Sequence, residues 1–291
     1  MGNSASAKSD NRIIERNVVE LNPTQIKMIK SGWGEKTIEN TIVEKITYLS
    51  DGLKVKGYIA YPKDQTKKYP CIIWCRGGIG NAGAIDSFNA RGIFGSLASW
   101  GYVVLSTQYR GNDGSEGQDE FGGDDLNDIT NLISVAEEIE CADTNIWGIE
   151  GWSRGGMMTY LTLTKNHDFK AAVVTGGIAN LRCNADESRF MKKLYEVTLG
   201  KHGSEGFAER CASRSIVNFA DKLSKETPLL IMHGTKDDRV LPHDSLDLSY
   251  KLLDLGIPFR LVMLEGGDHF LKSHRKEVDN LRKEWYKKYL N

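Results

Sequence analysis

Gly151-Trp152-Ser153-Arg154-Gly155-Gly156 sets a serine between glycines at a spacing that suits a nucleophile. Such a serine sits on a tight, strained turn from strand to helix, and its neighbours must be small. The flanks agree: Ile146–Ile149 reads as a strand and Gly156–Leu163 as a helix. The same turn would aim the backbone N–H of Arg154 at a developing oxyanion. The competing reading is a structural glycine turn that happens to hold a serine.

A serine hydroxyl is a poor nucleophile until a histidine takes its proton and a carboxylate orients that histidine. The Ser153 motif resembles the elbow of the α/β-hydrolase fold, where the carboxylate and then the histidine follow the serine in chain order. Past the apolar run Leu229–Met232 comes His233-Gly234-Thr235-Lys236-Asp237-Asp238-Arg239-Val240, and past Phe259–Leu264 comes Gly266-Gly267-Asp268-His269-Phe270. Of six histidines, His269 alone follows the aspartates by one helix and one strand. His233 ends a strand, where local hydrogen bonding is expected. His243 follows Asp237 too soon, and His167, His202 and His274 read as loop or surface residues. Asp237 and Asp238 are adjacent, and spacing does not separate them. Asp268 neighbours His269 directly, so it reads as a turn residue.

A second oxyanion donor is expected from Cys75-Arg76-Gly77-Gly78, after the strand Cys71–Cys75, through the N–H of Gly77 or Gly78. Arg76 could support an oxyanion or form a structural ion pair. The same loop spells Gly78-Ile79-Gly80-Asn81-Ala82-Gly83, a dinucleotide-binding pattern. That pattern needs an acidic residue about 20 positions on. The next strand instead ends Leu105-Ser106-Thr107-Gln108, although Arg110 could answer a 2′-phosphate.

The elements that would position these groups are legible as patterns. Ile42–Leu49 and Leu53–Tyr61 form a hairpin across Asp51-Gly52. Short apolar strands then alternate with helices: Cys71–Cys75, Tyr102–Thr107, Ile146–Ile149, Ala171–Thr175, Leu229–Met232 and Phe259–Leu264. Asp125–Glu140 carries apolar residues at helical spacing, a second helix runs from about Asp244 to Leu255, and a basic amphipathic helix closes the chain. The expected fold is α/β: a mostly parallel twisted sheet with an antiparallel N-terminal hairpin and helices on both faces. Residues 1–41 read as an arm packed on a catalytic domain of residues 42–291, with a cap-like insertion at about 178–226.

Taken together, the chain resembles the catalytic domain of the prolyl oligopeptidase family of serine peptidases. The resemblance rests on Arg76-Gly77-Gly78, on Tyr109-Arg110-Gly111-Asn112-Asp113-Gly114 with Gly117 and Gly123-Asp124-Asp125, and on the serine elbow. It extends through Ser213-Arg214-Ser215, Ala220-Asp221 and Thr227-Pro228 up to Val240, with Gly267-Asp268-His269 beyond, spanning roughly residues 42–291. It implies Ser153, Asp237 and His269 as the catalytic set, with Asp237 chosen over Asp238. It also implies that Arg239 contacts substrate, unless it pairs with a carboxylate. Some relatives have an oxyanion-donating tyrosine where this chain has Arg76. Many also carry an N-terminal β-propeller, whereas about 40 residues precede the hydrolase pattern here.

The expected activity is cleavage of a peptide or ester bond through an acyl-enzyme, without metal or organic cofactor. A carboxylesterase acting on small esters is the alternative, and a non-catalytic binding protein on the same scaffold the more distant one. An elbow aspartate would mark a haloalkane dehalogenase; here the residue is serine. The partner expected is a small ester or short peptide. The 38 basic and 39 acidic residues leave a net charge of −1, which offers no footprint for nucleic acid or an anionic membrane. Five scattered cysteines (Cys71, Cys75, Cys141, Cys183, Cys211) suggest reduced thiols and a cytoplasmic location. Gly2 and Ser6 fit a short myristoylation pattern.

Overall fold

Strands β4 (Tyr69–Cys75), β5 (Val103–Thr107), β7 (Phe169–Thr175) and β8 (Leu229–Gly234) are almost continuously apolar, as strands covered on both faces must be. With β1 (Ile13–Val18), β2 (Thr41–Ser50), β3 (Leu53–Pro62), β6 (Ala142–Trp152) and β9 (Phe259–Leu264) they form one sheet of nine strands. The spatial order is β1-β2-β3-β5-β4-β6-β7-β8-β9. Pairings from β1 to β5 are antiparallel, and those from β5 through β4 to β9 are parallel. The computed structural model describes residues 11–165, 168–181 and 187–291. Gly2, Ser6, His167 and Cys183 lie outside the described residues.

Alternate residues of each central strand enter one of two apolar layers. Ile73, Leu105, Ile149, Val174 and Ile231 face Leu132, Met157, Tyr160 and Leu252. Ile72, Val104, Val173 and Leu230 face Phe94, Leu97, Val278 and Tyr286 on the other side. The closing helix Arg275–Tyr289 is also pinned beneath β6, because Glu150 receives the Tyr286 hydroxyl at 3.0 Å and Arg282 Nε at 3.0 Å. Both layers clamp the strand that carries Ser153 at its end.

The hairpin turns as its residues require: Asp51 has φ 51° and Gly52 φ 81°, joining Ser50 to Leu53. Two elements depart from the sequence pattern. The first strand is Ile13–Val18, which pairs with β2 at the sheet edge; its residues are mostly exposed, so no alternation announces it. The expected helix over 125–140 is broken into a turn at Asp124–Leu126 and short helices Asn127–Thr130 and Leu132–Ala136. Its polar residues bond outside the segment: Asp128 holds Arg110, and Asn131 reaches Ser50 and Asp51 at the hairpin turn. Between β7 and β8 lie helices Arg189–Thr198 and Phe207–Ala212 and two short turns. The four described cysteines are buried thiols. No helix among the described residues is long and apolar enough to cross a membrane.

Candidate active site

Parallel strands deliver their carboxyl ends to one edge of the sheet, and the chemistry-bearing loops follow those ends. β6 ends at Trp152, and the next helix starts at Arg154. Ser153 between them has φ 58° and ψ −121°, a conformation that costs a non-glycine residue about 1–3 kcal/mol. The serine remains partly exposed, while Arg154 behind it is buried. Gly77 packs against this turn so closely that a Cβ there would lie 2.9 Å from Trp152 O and 3.5 Å from Ser153 Cβ.

After β8, Asp237 turns inward and Asp238 stays exposed. His269 Nδ1 lies 2.7 Å from Asp237 Oδ2. Asp237 Oδ1 accepts the backbone N–H of Arg239 (2.9 Å) and Val240 (3.1 Å), which fixes the carboxylate plane. Trp152 Nε1 donates to His269 O at 2.9 Å, so the serine turn and the histidine loop are tied directly. Asp268 points into solvent.

His233 joins this group, although its position at a strand end signals only local bonding. Its Nδ1 is 2.6 Å from Ser245 Oγ, its Nε2 2.9 Å from Val240 O and 3.3 Å from Asp237 Oδ2. Nε2 faces only oxygen acceptors, so it carries the proton, and the Ser245 hydroxyl donates to Nδ1. His243 is exposed, His274 bonds Ser273, and the His202 ring packs on Phe207.

Residues 88–291 match the prolyl oligopeptidase family of peptidases (Peptidase_S9). The chain belongs to the prolyl oligopeptidase family. It is similar to the uncharacterized peptidase YtmA of Bacillus subtilis, 29% identical over 83% of this chain and 92% of that one. It is also similar to the uncharacterized peptidase YuxL of the same organism, 29% identical over 86% of this chain, but this match spans only 40% of YuxL. Among solved structures, an acylaminoacyl peptidase in complex with Z-Gly-Gly-Phe-chloromethyl ketone superposes with TM-score 0.77 at 24% identity, over 87% of this chain and 42% of that one. The Pyrococcus horikoshii acylaminoacyl peptidase gives 0.75 at 22%, over 91% and 43%. Family membership makes the protein a peptidase-type serine hydrolase, and the structural likeness shows the α/β-hydrolase fold.

This member of the prolyl oligopeptidase family surrounds the turn with cations. The Arg154 guanidinium lies between the rings of Tyr109 (4.7 Å) and Phe121 (4.6 Å) and bonds Asp119, Asp125 and Gly78 O. Arg76 is fully buried; its Nε donates to Gln108 O (2.9 Å) and its Nη1 to Gly77 O (3.3 Å), while Nη2 has no hydrogen-bond partner among the described residues. Its guanidinium is therefore away from the site surface and pairs with no carboxylate among the described residues, and burial, then the neighbouring Arg154, lowers its pKa to about 10. The Arg239 guanidinium carbon lies 4.6 Å from the ring centroids of both Phe190 and Phe270, and among the described residues no carboxylate pairs with it. The glycine pattern at 78–83 does not open a dinucleotide site: the following helix, Ser87–Ser99, has Asp86 at its N-terminus, a carboxylate where a pyrophosphate would sit.

Burial alone would raise the Asp237 pKa, but hydrogen bonds from His233 and His269 outweigh it and hold it down at about 2. A depressed carboxylate lends stability that is full above its unfolded pKa and is lost as pH falls through the folded one. Between pH 4 and pH 2 the wild type should therefore lose more stability than Asp237→Asn, as urea midpoints would record. Equal slopes for the two proteins would contradict the pairing. Asp119 and Asp125 diverge: burial raises both, but Arg154 pulls Asp119 down, while Asp125, more deeply buried and beside Asp119, stays raised.

Proposed function

We propose that the protein cleaves short peptides through an acyl-enzyme formed on Ser153. The observation that carries this reading is the 2.7 Å His269–Asp237 contact, tied through Trp152 to the strained Ser153 turn. His269 Nε2 takes the Ser153 hydroxyl proton as Oγ attacks the carbonyl carbon, and Asp237 stabilises the resulting imidazolium. The negative oxygen is met by the N–H of Arg154 and of Gly77 or Gly78. Collapse returns the proton to the leaving amine. Water, deprotonated by His269, then releases the acid and restores the serine.

Arg239 gives the site its polarity. A guanidinium held over two aromatic rings keeps its N–H donors free for a substrate carbonyl or carboxylate. Phe190 comes from the segment between β7 and β8, so we read residues 178–226 as a cap that contributes to substrate binding. Membership of a peptidase family supports peptide substrates, and a small ester would use the same steps with an alcohol leaving.

Ser153→Ala should abolish turnover, by a factor on the order of 10⁶, and should abolish fluorophosphonate labelling without altering the Tm. Labelling at another serine would overturn the assignment. An aminoacyl-anilide panel run beside arylesters decides the substrate class. Arylester turnover with no measurable cleavage of any anilide would make it an esterase.

A further inference from the structure

The oxyanion loop is held from behind by its carbonyl oxygens. A peptide unit is planar and normally trans, so the C=O of one residue and the N–H of the next point in opposite directions. Whatever fixes the carbonyl therefore aims the N–H. The carbonyl partner of the Gly77 N–H is Arg76 O, which accepts the Tyr109 hydroxyl at 3.1 Å. The partner of the Gly78 N–H is Gly77 O, which accepts Arg76 Nη1 at 3.3 Å. Gly78 O is held by Arg154 Nη1 at 3.1 Å. Three successive carbonyls thus have donors on three buried side chains.

Tyr109 is the centre of this arrangement. Its ring lies under both guanidiniums, 5.2 Å from Arg76 Cζ and 4.7 Å from Arg154 Cζ. It is completely buried and holds φ 62°, a left-handed conformation that bulky side chains avoid. Thr107 Oγ1 accepts its backbone N–H at 3.0 Å and so fixes the unusual backbone. Strain of this kind persists only where the surroundings over-determine it.

We infer that Tyr109 is a positioning residue for the oxyanion: its hydroxyl aims the Gly77 N–H, and its ring seats the two arginines that fix the next two carbonyls. The inference rests on Ser153 being the nucleophile. Tyr109 never touches substrate, so its effect appears where charge develops on the carbonyl oxygen and not in ground-state binding.

Tyr109→Phe keeps the ring and removes only the hydroxyl. Its kcat should fall about 10-fold with KM little changed, a smaller loss than the 10²–10³ of deleting a donor outright. Affinity for a peptide boronate should fall by a similar factor, because that inhibitor forms a tetrahedral adduct on serine with an anionic oxygen in the same pocket. Affinity for the peptide product should hold. Arg76→Lys, which keeps the charge but replaces the three guanidinium nitrogens with one, should show the same kinetic signature and serves if Tyr109→Phe does not fold. Unchanged kcat and boronate affinity in a folded variant would overturn the inference, as would a lower Tm with both values intact. Turnover retained in Ser153→Ala sinks the nucleophile and this inference together. Turnover lost in Ser153→Ala but normal in Tyr109→Phe sinks this inference alone.

Discussion

Asp237→Asn should lower kcat by about four orders of magnitude while Asp238→Asn stays close to wild type. The size of the loss follows from which end of the amide must face the histidine. Asp237 Oδ1 accepts two backbone N–H groups, from Arg239 and Val240, and only an oxygen can stay there. The amide nitrogen is forced into the Oδ2 position, 2.7 Å from His269 Nδ1. Its hydrogen then needs an acceptor, so Nδ1 gives up its proton and Nε2 keeps one. An imidazole in that tautomer cannot take the Ser153 proton. His233 Nε2, a donor 3.3 Å from the same atom, meets an N–H instead of an oxygen and adds to the cost. Asp238 is solvent-exposed and serves as the control for charge alone. Steady-state kcat for the two variants is sufficient. A large loss in Asp238→Asn with Asp237→Asn active would reverse the assignment.

The parts of this site legible in the sequence are those that backbone pattern dictates. Apolar runs buried on both faces announce β4, β5, β7 and β8, and the loops beyond such strands must converge, so Ser153, the 237–238 pair and His269 could be placed near one another. Asp237 and Asp238 could not be separated by spacing, because which of two neighbours turns inward depends on the local turn and on His233. The arginine cluster was less legible still. Asp119 and Asp125 stand in a glycine-rich stretch and look like turn formers until Arg154 is seen between them. Arg76 bonds carbonyl oxygens, partners that every residue possesses and no pattern marks. The positive φ of Tyr109 carries no signature either, since only glycine or asparagine would have advertised it. β1 carries no alternation because an exposed edge strand needs none.

Gly155→Ala should damage both stability and turnover, although it adds a single methyl. The added Cβ would fall 2.0 Å from Cys75 O, 2.8 Å from Cys75 C and 3.1 Å from Arg76 C. All three are main-chain atoms, so no side chain can swing aside. Either the helix that starts at Arg154 or the end of β4 must move by about an ångström or more, and such overpacking costs roughly 1–3 kcal/mol or above. Cys75 is the last residue of β4, and Gly77 and Gly78 follow just beyond Arg76, so the displacement carries to the N–H groups proposed as oxyanion donors. A misplacement of about 1 Å in a reacting constellation is worth on the order of 100-fold in rate. The variant should therefore melt several degrees lower and keep no more than about 1% of wild-type kcat. Gly32→Ala provides the opposite sign. That glycine lies inside the helix Pro23–Trp33, and an added methyl would meet nothing within 4 Å, so alanine there should stabilise by about 0.5–1 kcal/mol and leave kcat alone. If Gly155→Ala melted and turned over like Gly32→Ala, the close contact between the serine turn and the end of β4 would be wrong.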